Sequence, residues 1–380
     1  MEYTLIKGHF HVVGHSPDGD SIKFRANNQD HWQKLNTDHR EILEKRLAEP
    51  DKKTGTTGVV TLRLQGIDAL ETHYSPPSPG TPKDVKAKTA KIDGPKSGMF
   101  DQPEALGKQA TYAFLYYLGI LKTKWHRFGY VQEITVKRGR RTVTISDKFE
   151  DKIPGYIITR DAERKGRPIA WVFAGKTSTR DGSSQSKGQL KRRIKRSVNY
   201  QLLEQGLVYP YFYMTLPSVV REQLIEAVNI AQENAEPLRR SKRRRSAALA
   251  EAQAENEARG WSKLDQVPNL WVYDTAEKGI ALRTLDNLTK DTLLWPYLFR
   301  KLLKYWRQET LQQYWEALRQ NDSYDPDQAN YLRLGDFFSG GNPYMFIVGE
   351  KDFVRLDEVV EIKNGVLKMR YQPQNLVFLS

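Results

Sequence analysis

The chain contains no cysteine. That excludes disulfides, a thiolate nucleophile and any cysteine-based zinc site, and it fits a reducing compartment. Long apolar runs are missing too: no stretch approaches the roughly 20 residues that a membrane-spanning helix needs. The opening Met1-Glu2-Tyr3-Thr4-Leu5-Ile6-Lys7 has no charged segment followed by an apolar one. No signal peptide is read there, and a cytoplasmic location is expected. Acidic charge is in short supply, with 46 Asp and Glu against 60 Lys and Arg and a net charge of +14. That excess favours a polyanionic partner, and without a membrane-inserting helix nucleic acid leads over a membrane surface.

The 380 residues suffice for two or three domains with cores of their own. Residues 8–25 read as strand–turn–strand around Pro17-Asp18-Gly19-Asp20, and Val59–Ile67 as the next strand. The polar stretch 26–57 between them holds Trp32 and a short helix over Asp38–Leu47. Residues 74–100, rich in Pro, Ser, Gly and Lys, read as a mobile loop. Leu106, Ala110, Ala113, Phe114, Tyr117, Leu118 and Leu121 recur at helical spacing after Asp101. Residues 129–146 and 153–174 alternate as strands, 175–196 reads as a flexible insertion, and Val198–Gln205 as a short helix ended by Gly206. Residues 217–258 are helical in pattern with a break at Pro237, and Gly260-Trp261-Ser262 reads as a domain boundary. Beyond it, 287–320 predicts an amphipathic helix with Trp295, Leu298, Leu302, Tyr305 and Trp306 in one buried stripe, and 331–380 alternates as strands.

Two acidic segments stand out against the basic background. One is Ser16-Pro17-Asp18-Gly19-Asp20-Ser21-Ile22-Lys23-Phe24, the other Leu62-Arg63-Leu64-Gln65-Gly66-Ile67-Asp68-Ala69-Leu70-Glu71. Downstream, Lys165-Gly166-Arg167-Pro168-Ile169-Ala170 adds a further arginine before an apolar run. Three carboxylates and two arginines on strand ends and turns suit metal-assisted phosphodiester cleavage. Asp20 and Asp68 are natural oxygen ligands for a hard divalent cation, with the Ala69 carbonyl as a third. Glu71, on the turn just beyond Asp68, is the general base for a water. Arg63 and Arg167 carry planar forks that match two phosphate oxygens and count most as charge builds in the transition state.

In order and spacing these segments resemble the staphylococcal nuclease (thermonuclease) family. Its marks are an Asp-Gly-Asp-Thr-like turn, then Arg-x-x-x-x-Asp-x-Pro-Glu, Gly-Arg-x-x-Ala and Val-Asn-x-x-Leu-x-x-x-Gly-Leu-Ala. Here they read Asp18-Gly19-Asp20-Ser21, Arg63 to Glu71 with the same internal spacing, and Gly166-Arg167-Pro168-Ile169-Ala170. The last is Val198-Asn199-Tyr200-Gln201-Leu202-Leu203-Glu204-Gln205-Gly206-Leu207-Val208. The likeness covers residues 8–262. It implies an α+β fold, a five-stranded OB-type β-barrel with three helices over 1–262, with insertions near 26–57, 74–100 and 175–196. A separate, smaller α+β domain of unassigned role is expected over 263–380. The resemblance also implies Ca2+-dependent endonucleolytic cleavage of DNA and RNA with little sequence preference; the oxygen ligands by themselves admit Mg2+ or Mn2+ as well. It gives calcium ligation to Asp20 and Asp68, water activation to Glu71, and the phosphate clamps to Arg63 and Arg167. The chain departs from the pattern at Ser21 for threonine, Leu70 for proline, and Lys165 where a tyrosine is common. Tyr209, Tyr211 and Tyr213 sit near the family's substrate-side tyrosines, although the positional match falls on Phe212 and Met214.

The runs Lys191-Arg192-Arg193-Ile194-Lys195-Arg196 and Arg239-Arg240-Ser241-Lys242-Arg243-Arg244-Arg245 read as tracks for a phosphate backbone, weighed against a solvated face or a nuclear-import signal. Lys191, Arg192, Arg193, Arg243 and Arg244 therefore join Lys165 and the three tyrosines as candidate nucleic-acid contacts. His9, His11 and His15 read as exposed strand histidines and not as a metal cluster. Two rivals to the enzyme remain. One is a catalytically weak or inactive nucleic-acid-binding barrel. The other is an effector nuclease controlled by its C-terminal domain through a regulatory protein partner. The presence of Asp20, Arg63, Asp68, Glu71 and Arg167 together argues for the enzyme.

Overall fold

The computed structural model describes residues 2–85, 98–239, 269–320, 322–325, 327 and 330–379. Arg243 and Arg244, the expected helix beyond Arg239, the boundary at 260–262 and the middle of the 74–100 loop lie outside the described residues. The protein is α+β, with a closed five-stranded β-barrel and several helices. It divides into two compact units, one of residues 1–69 and 105–272, the other of residues 70–104 and 273–379.

In the first unit, strands β1 (Tyr3–His11) and β2 (Ser21–Ala26) precede helix α1 (Arg40–Ala48) and strands β3 (Val59–Leu64) and β4 (Gly66–Asp68). Helix α2 (Glu104–Tyr117) leads into a three-stranded sheet of β5 (Ile120–Trp125), β6 (Val131–Arg138) and β7 (Arg141–Ile145). Strands β8 (Ile153–Ala162), β9 (Pro168–Ala174) and β10 (Ser184–Gln185) follow, then α3 (Lys187–Arg193), α4 (Val198–Glu204), β11 (Tyr209–Tyr213) and α5 (Ser218–Arg239). The barrel runs β1-β2-β3-β9-β8 and closes where β8 pairs back onto β1. Its pairings are antiparallel except β3–β9, which is parallel. Closure leaves these strands without open edges.

The alternation of β3 explains both core and site. Val60, Leu62 and Leu64 are buried, while Thr61 and Arg63 on the other phase are half-buried. At its end the chain must turn sharply into β4. Gly66 makes that corner at φ +81°, and a Cβ there would lie 2.9 Å from Leu224 Cδ1. The corner is held by the buried side chain of Asn199 on α4. Its amide donates to the carbonyls of Gln65 (2.9 Å) and Ala170 (3.1 Å), and its oxygen accepts from the Val172 N–H (3.0 Å).

The segment 175–196, expected as a flexible insertion, forms regular structure from Ser184 onward. Strand β10 pairs with β1, and α3 carries a capping box between Ser186 and Gln189. Leu190 and Ile194 are buried beneath its basic residues, so a small apolar stripe anchors a segment whose composition reads as a solvated loop.

The second unit contains β12 (Ile280–Ala281), helix α6 (Pro296–Gln320), β13 (Tyr344–Ile347), β14 (Asp352–Arg355), the short α7 (Leu356–Val359), β15 (Val360–Lys363), β16 (Val366–Met369) and β17 (Leu376–Phe378). Its strands pair in the orders β12-β16-β15 and β14-β13-β17. The expected stripe of Trp295, Leu298, Leu302, Tyr305 and Trp306 is buried. The helix starts nine residues later than its pattern predicts, at Pro296, after a π-helical turn over Asn287–Asp291. The ring of Phe100 packs edge-on against Trp306 at 5.3 Å, and Val85 joins Tyr314 and Leu318. The described parts of the stretch read as a mobile loop thus supply core contacts to α6 despite having almost no regular structure.

Candidate functional site

The acidic turn before β2 organises itself first. Asp18 Oδ1 accepts from the Asp20 N–H at 3.2 Å and from the Ser21 hydroxyl at 2.7 Å, so Asp18 serves the turn. Its neighbour Asp20 is left for other work. Ser21 pairs with Arg63 across β2–β3, and the Leu64 N–H donates to the Asp20 carbonyl at 2.8 Å, which brings the Asp20 and Arg63 side chains to one end of the hairpin. The Gly66 corner then returns the chain so that Asp68 lies at the end of β4, opposite Tyr209 of β11.

These three strand ends converge on one guanidinium. Arg63 Nη1 is hydrogen-bonded to Asp20 Oδ2, and Nη2 donates to Asp68 Oδ1 at 2.6 Å. The Ala69 N–H adds a bond to Asp20 Oδ2 at 3.1 Å. Asp20 is only 5% exposed and Asp68 is fully buried. Burial pushes the Asp20 carboxyl up to about 7, with Asp18 and Asp68 pushing the same way and the Arg63 charge and the Ala69 N–H opposing. Two buried carboxylates this close to one another call for a cation between them, a role Arg63 fills.

Arg167 stands two residues before Ile169, the β9 partner of Arg63. Its guanidinium is engaged bidentately by Glu163 across the β8–β9 turn, with one contact at 3.0 Å. Lys165 is exposed in that turn, which Gly166 closes at φ +73°. Glu71 belongs to the second unit. There its carboxylate meets the Arg300 guanidinium of α6 at 2.5 Å, and its N–H donates to the Gln102 side-chain oxygen at 3.1 Å. Gln102 in turn donates to the Leu294 carbonyl at 2.6 Å, fixing the start of the Glu71 segment to the residues before α6.

Sequence reasoning found Asp20, Arg63, Asp68, Glu71 and Arg167 but missed the partners of the last two, Arg300 and Glu163. Glu163 had a faint signal, as the acidic member of an otherwise basic turn four residues before Arg167. Arg300 had none, being 229 positions from Glu71. Asn199 lay inside a quoted motif without its clamping role being legible.

The other candidates are dispersed. Tyr209 is buried with its ring 5.1 Å from Trp271, so this residue packs in the core and offers no face to a base, a correction to its expected role. Tyr211 is half-buried and Tyr213 exposed, their rings edge to face at 5.0 Å. Lys191 and Arg192 are exposed on α3, whereas Arg193 donates to the Thr179 hydroxyl at 2.7 Å.

The histidines also differ from expectation. His11 and His15 are buried, and burial holds both imidazoles down near pH 4, with nearby cationic groups pulling in the same direction. The carboxylate of Asp51 lies 3.6 Å from His15 and 3.1 Å from Lys23. A strand-alternation rule places His11 on a face without saying whether that face is covered.

Among the described residues, no group of three or more His, Asp or Glu side chains has a metal-holding arrangement. The donor set at Arg63 is nonetheless chemically suited to a hard cation: two carboxylates drawn together around a positive charge. No helix among the described residues is long and apolar enough to cross a membrane. No protein-family model matches the chain, and no curated protein matches it significantly.

Proposed function

We propose that this protein is a metal-dependent endonuclease that hydrolyses phosphodiester bonds of DNA or RNA, with its barrel of the OB type and related to the staphylococcal nuclease family. The observation that carries the reading is the fork of Arg63 on Asp20 and Asp68, two buried carboxylates from separate strand ends converging on one cation. The four sequence segments described above, in the family's order, support the same reading.

Asp20 and Asp68, with the Ala69 carbonyl, would hold Ca2+, or Mg2+ or Mn2+ in its place. A bound divalent cation supplies charge neutralisation and orientation of a phosphoryl oxygen. The chain's own residues do the rest. Arg63 and Arg167 present guanidinium forks to the phosphate, exchanging their carboxylate partners for its oxygens. Their interaction strengthens as negative charge accumulates in the transition state. Glu71 accepts a proton from the attacking water.

One observation favours the controlled form of this enzyme. The proposed general base is engaged by Arg300, a residue of α6, which lies outside the stretch resembling the nuclease family. A carboxylate neutralised by a guanidinium is a poor proton acceptor, so Arg300 restrains Glu71 until it is displaced.

Cleavage of single-stranded DNA, double-stranded DNA and RNA with calcium, magnesium or chelator tests the proposal. Metal-dependent cutting that is lost in Glu71→Gln and Arg167→Ala is the expected result. Salt-sensitive binding without cutting under any metal would instead point to a binding module.

A further inference from the structure

The first unit carries a second surface that the proposed hydrolytic residues do not use. The β5–β6 hairpin is closed by His126–Tyr130, where the His126 N–H donates to the Tyr130 carbonyl at 2.8 Å and the Gly129 N–H to the His126 carbonyl at 2.9 Å. This tight turn displays rings in place of the small polar residues usual at a loop tip. His126 and Tyr130 are stacked at 4.5 Å and 13°, and Phe128 lies 5.1 Å from His126 while 72% exposed.

Cations alternate with these rings. The Arg127 guanidinium sits 4.8 Å from the Phe128 ring, and the Lys53 ammonium 5.3 Å from that of Tyr130. Lys148 is hydrogen-bonded to the Lys53 carbonyl and lies 5.3 Å from Phe149, which is itself 55% exposed. Residues 120–148 hold eight Lys and Arg against two Asp and Glu. Exposed phenylalanines are unfavourable in water, and nothing in a solvated charged face requires them.

We infer that this hairpin tip, with Phe128, Tyr130, Arg127, Lys53, Lys148 and Phe149, is a stacking platform for the bases of single-stranded nucleic acid. Alternating π-faces and cations match the alternation of bases and phosphates along a single strand. A duplex keeps its base faces stacked within itself and offers such rings no partner, so the platform selects unpaired strands. The inference deepens the proposed function by naming the form of nucleic acid held, but it stands on separate residues.

The test is binding by the full chain in the presence of chelator, so that it does not depend on hydrolysis. Fluorescence anisotropy would follow a labelled oligothymidylate, an abasic strand with equally many phosphates, and a duplex of equal length. The native chain should bind the oligothymidylate most tightly. Phe128→Ala, at an exposed site that leaves the core intact, should weaken that binding roughly tenfold, the loss of about one stacked base, without changing the salt slope. Arg127→Ala should flatten the salt slope instead. Equal native affinity for the abasic strand, or an unchanged affinity in Phe128→Ala, would overturn the inference. So would Phe128-dependent binding to anionic phospholipid vesicles with none to the oligonucleotide.

Discussion

Glu71 is the residue on which the proposed chemistry turns. Replacing it by Gln removes the proposed base and should lower the rate of metal-dependent cleavage by about 100-fold or more, measured with a labelled oligonucleotide. Arg300→Ala should act in the opposite direction, raising the rate several-fold by releasing that carboxylate; an unchanged or lower rate would remove Arg300 from any restraining role. His11 sets a different expectation. Its pKa is about 4 in the fold and about 6.5 in the unfolded chain, so between these values the unfolded state binds more protons. The stability it allows is fully present above about pH 6.5 and is lost as pH falls towards 4, by roughly 3 kcal/mol. His9, His15 and Arg25 add to the depression and Asp51 opposes it. Asp151, pushed up to about 6 by burial, contributes in the reverse sense, so the informative comparison is native against His11→Gln. Denaturant midpoints across that range should fall less steeply in the variant; parallel curves would show that His11 does not titrate as described.

At the scale of elements, the β3–β4 corner is what brings Asp68 to Arg63. Asn199→Ala would leave the Val172 N–H and the carbonyls of Gln65 and Ala170 without their partner in a dry setting, a loss of about 2–4 kcal/mol in chemical denaturation. Gly66→Ala forces a left-handed backbone and a 2.9 Å contact with Leu224, and should lower both stability and cleavage. Wild-type stability for either variant would contradict the clamp. Much at this scale was legible beforehand. Strand alternation located β3 and the strands between 129 and 174, and the helical stripe of Trp295, Leu298 and Leu302 emerged as core. What escaped was structure anchored by few residues. Helix α3 depends on Leu190 and Ile194 within a run of lysines and arginines, and the 74–100 stretch contributes Phe100 and Val85 to the packing of α6. Composition averages such anchors away. Arg300 lay beyond local reasoning altogether, because no pattern within a strand or helix reports a contact 229 positions distant.

For the molecule as a whole, a net charge of +14 draws any polyanion, and binding alone therefore says little about chemistry. The distinguishing feature is the buried acidic pair retained at Arg63 within this basic chain. Asp68→Asn changes one oxygen to an amide with almost no change in volume, and circular dichroism would verify that the fold persists. The decisive measurement is the rate at which native protein and Asp68→Asn cut a labelled oligonucleotide as calcium is titrated from full chelation to saturation. Saturable, calcium-dependent cleavage by the native chain, abolished in Asp68→Asn, is the predicted result. Cleavage that ignores calcium, or that survives the substitution with the same calcium dependence, would contradict a divalent-metal phosphodiesterase site built on Asp20, Arg63 and Asp68.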